Sequence, residues 1–174
     1  TEERGIKMLE MYNQKPKDPI YSKVISASVH DVWRVLTERD LLYKWWMPIE
    51  ANLSIVNINL IHGGAFIYEY TNNKRRHHDE LIYVQLIEGR RIVMTNALNK
   101  DLRPTTQSYG TIVIDLLPRG DKTIFTSEIL YRDIRVLRWF SKAGLYQGWV
   151  NNLQYMAQLA ENINPGSNPQ PAPI

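Results

Sequence analysis

"AGLYQGWVNNLQYMAQLAEN", residues 143–162, is the stretch that decides the fold. Leu145, Trp149, Leu153, Met156 and Ala160 recur at spacings of three and four residues, which predicts one apolar stripe along a helix. Gln147, Asn151, Gln154, Gln158 and Glu161 take the opposite side, and Asn152 borders the stripe. Such a helix spans about 30 Å at about 1.5 Å per residue and needs an apolar surface to lie on. The preceding sequence supplies a sheet.

Six strand-like runs come before it: 53–60, 64–71, 79–88, 90–98, 108–117 and 122–132. They are separated by "HGG", "TNNK", "EG", "NKDLRP" and "PRGD", short connections of turn chemistry that imply an antiparallel meander. Further upstream, "IYSKVISAS" from Ile20 alternates as a strand, and "VHDVWRVLT" has helical spacing. "ERDLLYKWW" reads as a second short helix that must stop before Pro48. The expected architecture is α+β: a curved antiparallel sheet of six to seven strands wrapped around the C-terminal helix, with two short helices after the first strand. Residues 19–162 form this domain, residues 1–18 an N-terminal extension interrupted by "QKPKDP", and 163–174 a disordered proline-rich tail. No internal repeat is visible.

The totals suit a single globular domain: 174 residues, 44% hydrophobic and 22% charged. There is no cysteine, so disulfides, thiolate metal sites and a cysteine nucleophile are excluded. No apolar run approaches the roughly 20 residues needed to cross a bilayer, and we expect a soluble, cytoplasmic protein without membrane insertion. A formal charge of +3, scattered along the chain, predicts no nucleic-acid partner. The dense basic cluster "NKRRHH" (73–78) reads as a solvated hairpin tip.

The pattern "ISASVHDVWRVLTERDLLYKWWMP", then "IHGGAFIYEY", "VQLIEGRRIVMTN" and "GLYQGWVNNLQYMAQL", resembles the START-like, helix-grip (SRPBCC) superfamily. Within it the chain is similar to the branch of homologues of the activator of heat-shock ATPase, over residues 20–162. The adjacent tryptophans Trp45 and Trp46, the Gly63-Gly64 turn and the Gly148-Trp149 pair carry the resemblance. Met47 departs from it, standing where many relatives have glycine. The resemblance implies a sheet gripping the last helix and a cavity that in relatives holds lipids, sterols, polyketides or other apolar molecules. It fixes a place for a site and not a chemistry.

Residue parity supplies the candidate site. Phe66, Tyr68 and Tyr70 share one face of their strand, and Met94 shares a face with Ile92 and Asn96. Trp149, Leu153 and Met156 should look from the helix into the sheet, with Asn152 offering a polar contact at the edge. Neighbours on a helix point about 100° apart, so one indole of Trp45 and Trp46 is expected to anchor the core and the other to lie over the cavity rim. The expected partner is a small apolar or amphipathic ligand, with a homodimer or a chaperone as alternatives. No cofactor is implied.

A metal is not expected either: His77 and His78 are strand neighbours facing opposite sides, only His77 and Asp79 share a face, and Lys74, Arg75 and Arg76 repel a cation. His30 and His62 read as a helix-start and a turn residue. No nucleophile elbow, phosphate loop, paired-histidine zinc motif or dinucleotide fingerprint is present, so no catalytic residue is assigned. A cyclase or hydrolase on the same scaffold is the alternative reading, drawing on Glu69, Glu128 or a sheet tyrosine. Asp115 falls on the wetter face of its strand.

Overall fold

Alternation and turn chemistry become one seven-stranded antiparallel sheet in the computed structural model, which describes residues 18–163. The N-terminal extension, but for its last residue, and nearly all of the proline-rich tail lie outside the described residues. The strands are β1 (Ile20–Ile25), β2 (Ser54–Ile58), β3 (Ala65–Asn72), β4 (Arg75–Ile87), β5 (Arg91–Thr95), β6 (Gly110–Arg119) and β7 (Lys122–Tyr131). Their spatial order is β1-β7-β6-β5-β4-β3-β2, so β2 to β7 run as the predicted meander and β1 joins beyond β7. The sheet is curved and unclosed, with β1 and β2 as its edges.

Helices α1 (Val29–Thr37) and α2 (Arg39–Leu42) follow β1. Ser28 caps α1 by accepting the Asp31 N–H, and the Thr123 hydroxyl bonds the Ala27 carbonyl, fastening the strand-to-helix corner to β7. The sequence placed α2 as far as Trp46, but regular helix ends at Leu42 and Tyr43–Trp46 continue as turns, leaving both indoles off a helix axis.

The exposed "NKRRHH" cluster lies at the end of the β3–β4 hairpin, as expected, but most of it is strand rather than turn. Only Asn73 and Lys74 make the turn, both at positive φ (48° and 62°), the conformation that matches the twist of a tight hairpin, while Arg75–His78 already belong to β4. Gly64 is needed at the start of β3, because a Cβ there would lie 2.1 Å from the Asn59 carbonyl oxygen.

Two helices follow β7 among the described residues, one more than the sequence predicted. α3 (Ile134–Lys142) is capped by Asp133, whose carboxylate accepts the N–H groups of Arg135 and Val136. It is short, and it buries none of its residues fully, so its apolar pattern is too brief to stand out. α4 (Leu145–Asn162) is the expected long helix. Leu153, Met156, Ala157 and Ala160 are buried, Trp149 is half-buried, and Leu145 is exposed, so the inward stripe begins one turn later than expected. The far end of α4 is pinned by the Glu161 carboxylate, which accepts the Ser26 N–H at 3.0 Å.

Register assigns the faces. Phe66, Tyr68, Leu81, Tyr83, Ile92, Met94, Ile112, Ile114, Phe125 and Ile129 join the α4 residues in one core, which is the inner face. Ala65, Ile67 and Ile82, of opposite parity, form a small outer cluster with Leu98.

Candidate site on the inner face of the sheet

The tryptophan pair is buried on both sides: Trp45 is 1% exposed and Trp46 4%. Trp45 donates its indole N–H to the Val35 carbonyl at 2.9 Å, tying the turn to α1. Trp46 is the hub of a ring cluster, with centroids 5.0 Å from Phe66, 5.3 Å from Trp149, 5.4 Å from Trp45 and 5.8 Å from Tyr68. The expected division into core anchor and rim residue is replaced by two core residues, of which only Trp46 meets the strand side chains expected to line the site.

From Trp46 a row of rings runs outward along β3. Phe66 lies 4.9 Å from Tyr68, Tyr68 6.1 Å from Tyr70, and Tyr70 stacks on His77 of β4 at 5.0 Å and 17°. The row passes from buried Phe66 and Tyr68 to half-buried Tyr70 and exposed His77. Asp79 pairs with Tyr68 across β3 and β4 and therefore shares this face. The Tyr68 hydroxyl donates to Asp79 Oδ2 at 3.4 Å. Burial pushes the Asp79 carboxyl above its usual range, partly offset by the Tyr68 hydrogen bond and by His77 and His78. Burial and then the Asp79 charge push Tyr70 up to about 12, and burial pushes Tyr68 well above its ordinary value.

The helices frame the other side. Trp149 donates its indole N–H to Ser127 of β7 at 3.2 Å, and Asn152 donates its amide to the Trp46 carbonyl at 3.0 Å. Leu153, Met156 and Met94 are buried in the same core. Thus Trp45, Trp46, Phe66, Tyr68, Tyr70 and Trp149 form one chain of ring contacts, with Met94, Asn152, Leu153 and Met156 around it. Asn96, expected beside Met94, serves its own loop instead: its side-chain oxygen accepts from the Ser108 hydroxyl and the N–H groups of Tyr109 and Gly110.

Sequence reasoning missed Asp79, Tyr109, Tyr131 and Phe140 as neighbours of this site. Phe140 of α3 sits 5.3 Å from Tyr109 and 5.2 Å from Tyr131. Burial and then the Asp79 charge raise the Tyr109 phenol. The Tyr131 hydroxyl is buried and has no hydrogen-bond partner among the described residues. Continuing the parity of Leu81 and Tyr83 back to Asp79 would have found the acid. Tyr109 lies just before β6, and no periodicity points to it.

Glu69 and Glu128 do not face the helix. Glu69, opposite in parity to Tyr68 and Tyr70, pairs with Arg76 and lies 3.7 Å from His78. Glu128 alternates with inward Ser127 and Ile129 and so points outward. Asp115 lies 3.1 Å from Arg91 on the outer face, as parity predicted. A catalytic reading built on Glu69 or Glu128 therefore loses its acids. Among the described residues no three His, Asp or Glu side chains converge as a metal site, and no helix is long and apolar enough to cross a membrane.

An open concavity of about 680 Å³ lies elsewhere, between Pro19, α3 (Leu137, Arg138, Ser141, Lys142) and Tyr146 at the start of α4. None of the ring row lines it. Its openness to solvent makes it a poorer recognition site than the inner row, where a carboxylate and several hydroxyls converge on apolar rings.

The geometry has solved counterparts. A crystal structure of a protein from Nitrosomonas europaea superposes with a TM-score of 0.75 at 24% identity, covering 85% of this chain and 96% of that one. A solution structure from Arthrobacter aurescens matches at 0.71 and 13% identity, covering 86% and 92%. A crystal structure from Mycobacterium smegmatis matches at 0.67 and 16%, covering 84% and 96%. At these identities the likeness is one of fold. No curated protein matches the sequence. Residues 26–161, from the end of β1 to the last turn of α4, match the family described as activator of Hsp90 ATPase homolog 1-like protein, and the chain belongs to that family.

Proposed function

We propose that the protein binds a small amphipathic molecule between the inner face of its sheet and α4. The observation that carries this reading is the row of rings running from buried Trp46 and Phe66 through Tyr68 to half-buried Tyr70, ending at a carboxylate that pairs with no lysine or arginine among the described residues. Rings offer contact area to an apolar body at small entropic cost, and the polar end orients it. The inner rings pack against one another, so entry requires an element to yield. α3 is the element suited to yield: it leans on the site through Phe140 and buries none of its residues.

Two measurements test this. Organic extraction of the purified protein followed by mass spectrometry should recover a stoichiometric amphipathic molecule, or a polarity-sensitive dye should bind with a blue shift that Trp149→Ala weakens. A protein that yields no ligand and takes up no dye contradicts the reading.

A second reading, contact with a chaperone, is favoured by the family description and by Trp139, 60% exposed on α3. It predicts that Trp139→Ala abolishes a chaperone interaction while leaving dye uptake unchanged.

A further inference from the structure

We propose that Asp79, with Tyr68, Tyr70 and Tyr109 around it, is the subsite for the protonated amine of that amphipathic ligand. The proposal rests on the ligand-binding reading and deepens it by naming the head group.

Asp79 makes no ion pair with a lysine or arginine among the described residues, although Arg75 and Arg76 lie only four and three positions away along β4. Parity turns Arg76 to the outer face, where it pairs with Glu69, while Arg75 shares the parity of Asp79 but sits at the exposed end of the strand, pairing with Asn72 across the hairpin. The basic groups acting on Asp79 are His77, which stacks on Tyr70, and His78, which reaches Glu69 and Glu80 on the outer face. The acid is thus half-buried, bonded by a tyrosine hydroxyl, and, among the described residues, not matched by a fixed positive charge.

A partly desolvated carboxylate in this position favours cations over neutral donors and repels anions. An ammonium donates several hydrogen bonds, one to Asp79 and others to the tyrosine oxygens, and the adjacent ring faces add cation–π attraction. The apolar tail would then follow the row inward past Phe66 toward Trp46. A fatty-acid or phosphate head would meet the Asp79 charge at the same point and be disfavoured. The reach from subsite to ring hub is short, only a few residues along β3, so a medium-length alkyl chain suffices as a probe.

The test compares octylamine, octanol and octanoate, which share a tail and differ in charge, by isothermal titration on the wild-type protein, Asp79→Asn and Asp115→Asn. The proposal expects octylamine to bind about ten-fold tighter than octanol, with octanoate weakest, since a charge-assisted hydrogen bond exceeds a neutral one by roughly that factor. Asp79→Asn should bring octylamine down to the level of octanol while octanol itself is unchanged. Asp115→Asn, on the outer face, should behave as wild type. Equal affinities for amine and alcohol in the wild-type protein overturn the proposal, and this comparison needs no variant to fold. So does an amine preference that survives Asp79→Asn, or one lost equally in Asp115→Asn. If none of the three probes binds, the ligand-binding reading itself falls and this subsite with it.

Discussion

On the outer face of the sheet, Glu69 lies against Arg76, Glu80 lies 3.2 Å from His78, and Asp115 lies 3.1 Å from Arg91. On the inner face Asp79 is bonded by the Tyr68 hydroxyl and stands in a cluster of tyrosines, although the same strand holds two arginines. The outer pairs are partly solvated and contribute little, typically within about 1 kcal/mol each. The inner acid is costly to keep ionised and has no lysine or arginine paired with it among the described residues. An arrangement that stability alone does not favour is where binding is sought first. The same contrast separates the helices: α4 is held by buried Leu153, Met156 and Ala160, whereas α3 rests on partly buried side chains.

The largest effect should come from the packed end of the ring row. Phe66 is fully buried among Trp46 and Tyr68, and Phe66→Ala should cost about 3–5 kcal/mol of stability in urea unfolding. A loss below about 1 kcal/mol would mean that the inner rings are not the core they are taken to be.

The next effect separates the helices. Asp133→Ala removes both cap bonds of α3 and should cost about 1 kcal/mol, with faster amide exchange in α3 and unchanged protection in α4. Burial alone would raise the Asp133 carboxyl, but the Val136 N–H, together with Arg135 and Arg132, holds it down at about 2. Its contribution is therefore present above the ordinary value of 3.8 and is lost as pH falls through about 2. Exchange in α3 that accelerates first at neutral pH would contradict this cap.

A smaller effect distinguishes the acids by sign. The raised value of Asp79 means that the folded state holds its proton more readily than the unfolded chain does. Ionised Asp79 then subtracts stability at neutral pH, and the subtraction fades as pH falls through its folded value toward 3.8. Asp79→Asn should match or exceed wild-type melting temperature at pH 7, with the gain vanishing below the unfolded value. Asp115→Asn, on a solvated pair, should change stability by no more than about 0.5 kcal/mol, in the destabilising direction. Reversed signs in thermal unfolding would erase the distinction between the faces.

Much of this was legible in the sequence because two periods carry it. Alternation in "AFIYEY" put Phe66, Tyr68 and Tyr70 on one face, and the spacing from Trp149 to Ala160 put the helix stripe against them. What failed to show depends on contacts that no period encodes. α3 lacks a buried stripe, so its signal reduces to the Asp133 cap. The role of Asp79 depends on Tyr68 arriving from the neighbouring strand at one register, and Tyr109 is positioned by a loop tied to Asn96. Trp45 and Trp46 differ by about 100° on a helix, but the chain leaves the helix before them, which lets both indoles enter the core.

The five tryptophans offer the most direct test of ligand uptake between sheet and α4. Indole N–H signals of nitrogen-15-labelled protein, followed by nuclear magnetic resonance during titration with an alkyl amphiphile, report Trp46 and Trp149 beside the site and Trp139 on the exposed side of α3. Saturable shifts at Trp46 and Trp149 are the predicted result, with any accompanying shift at Trp139 reporting the yielding of α3 through Phe140. Shifts confined to Trp139, or none at saturating ligand, would contradict the account.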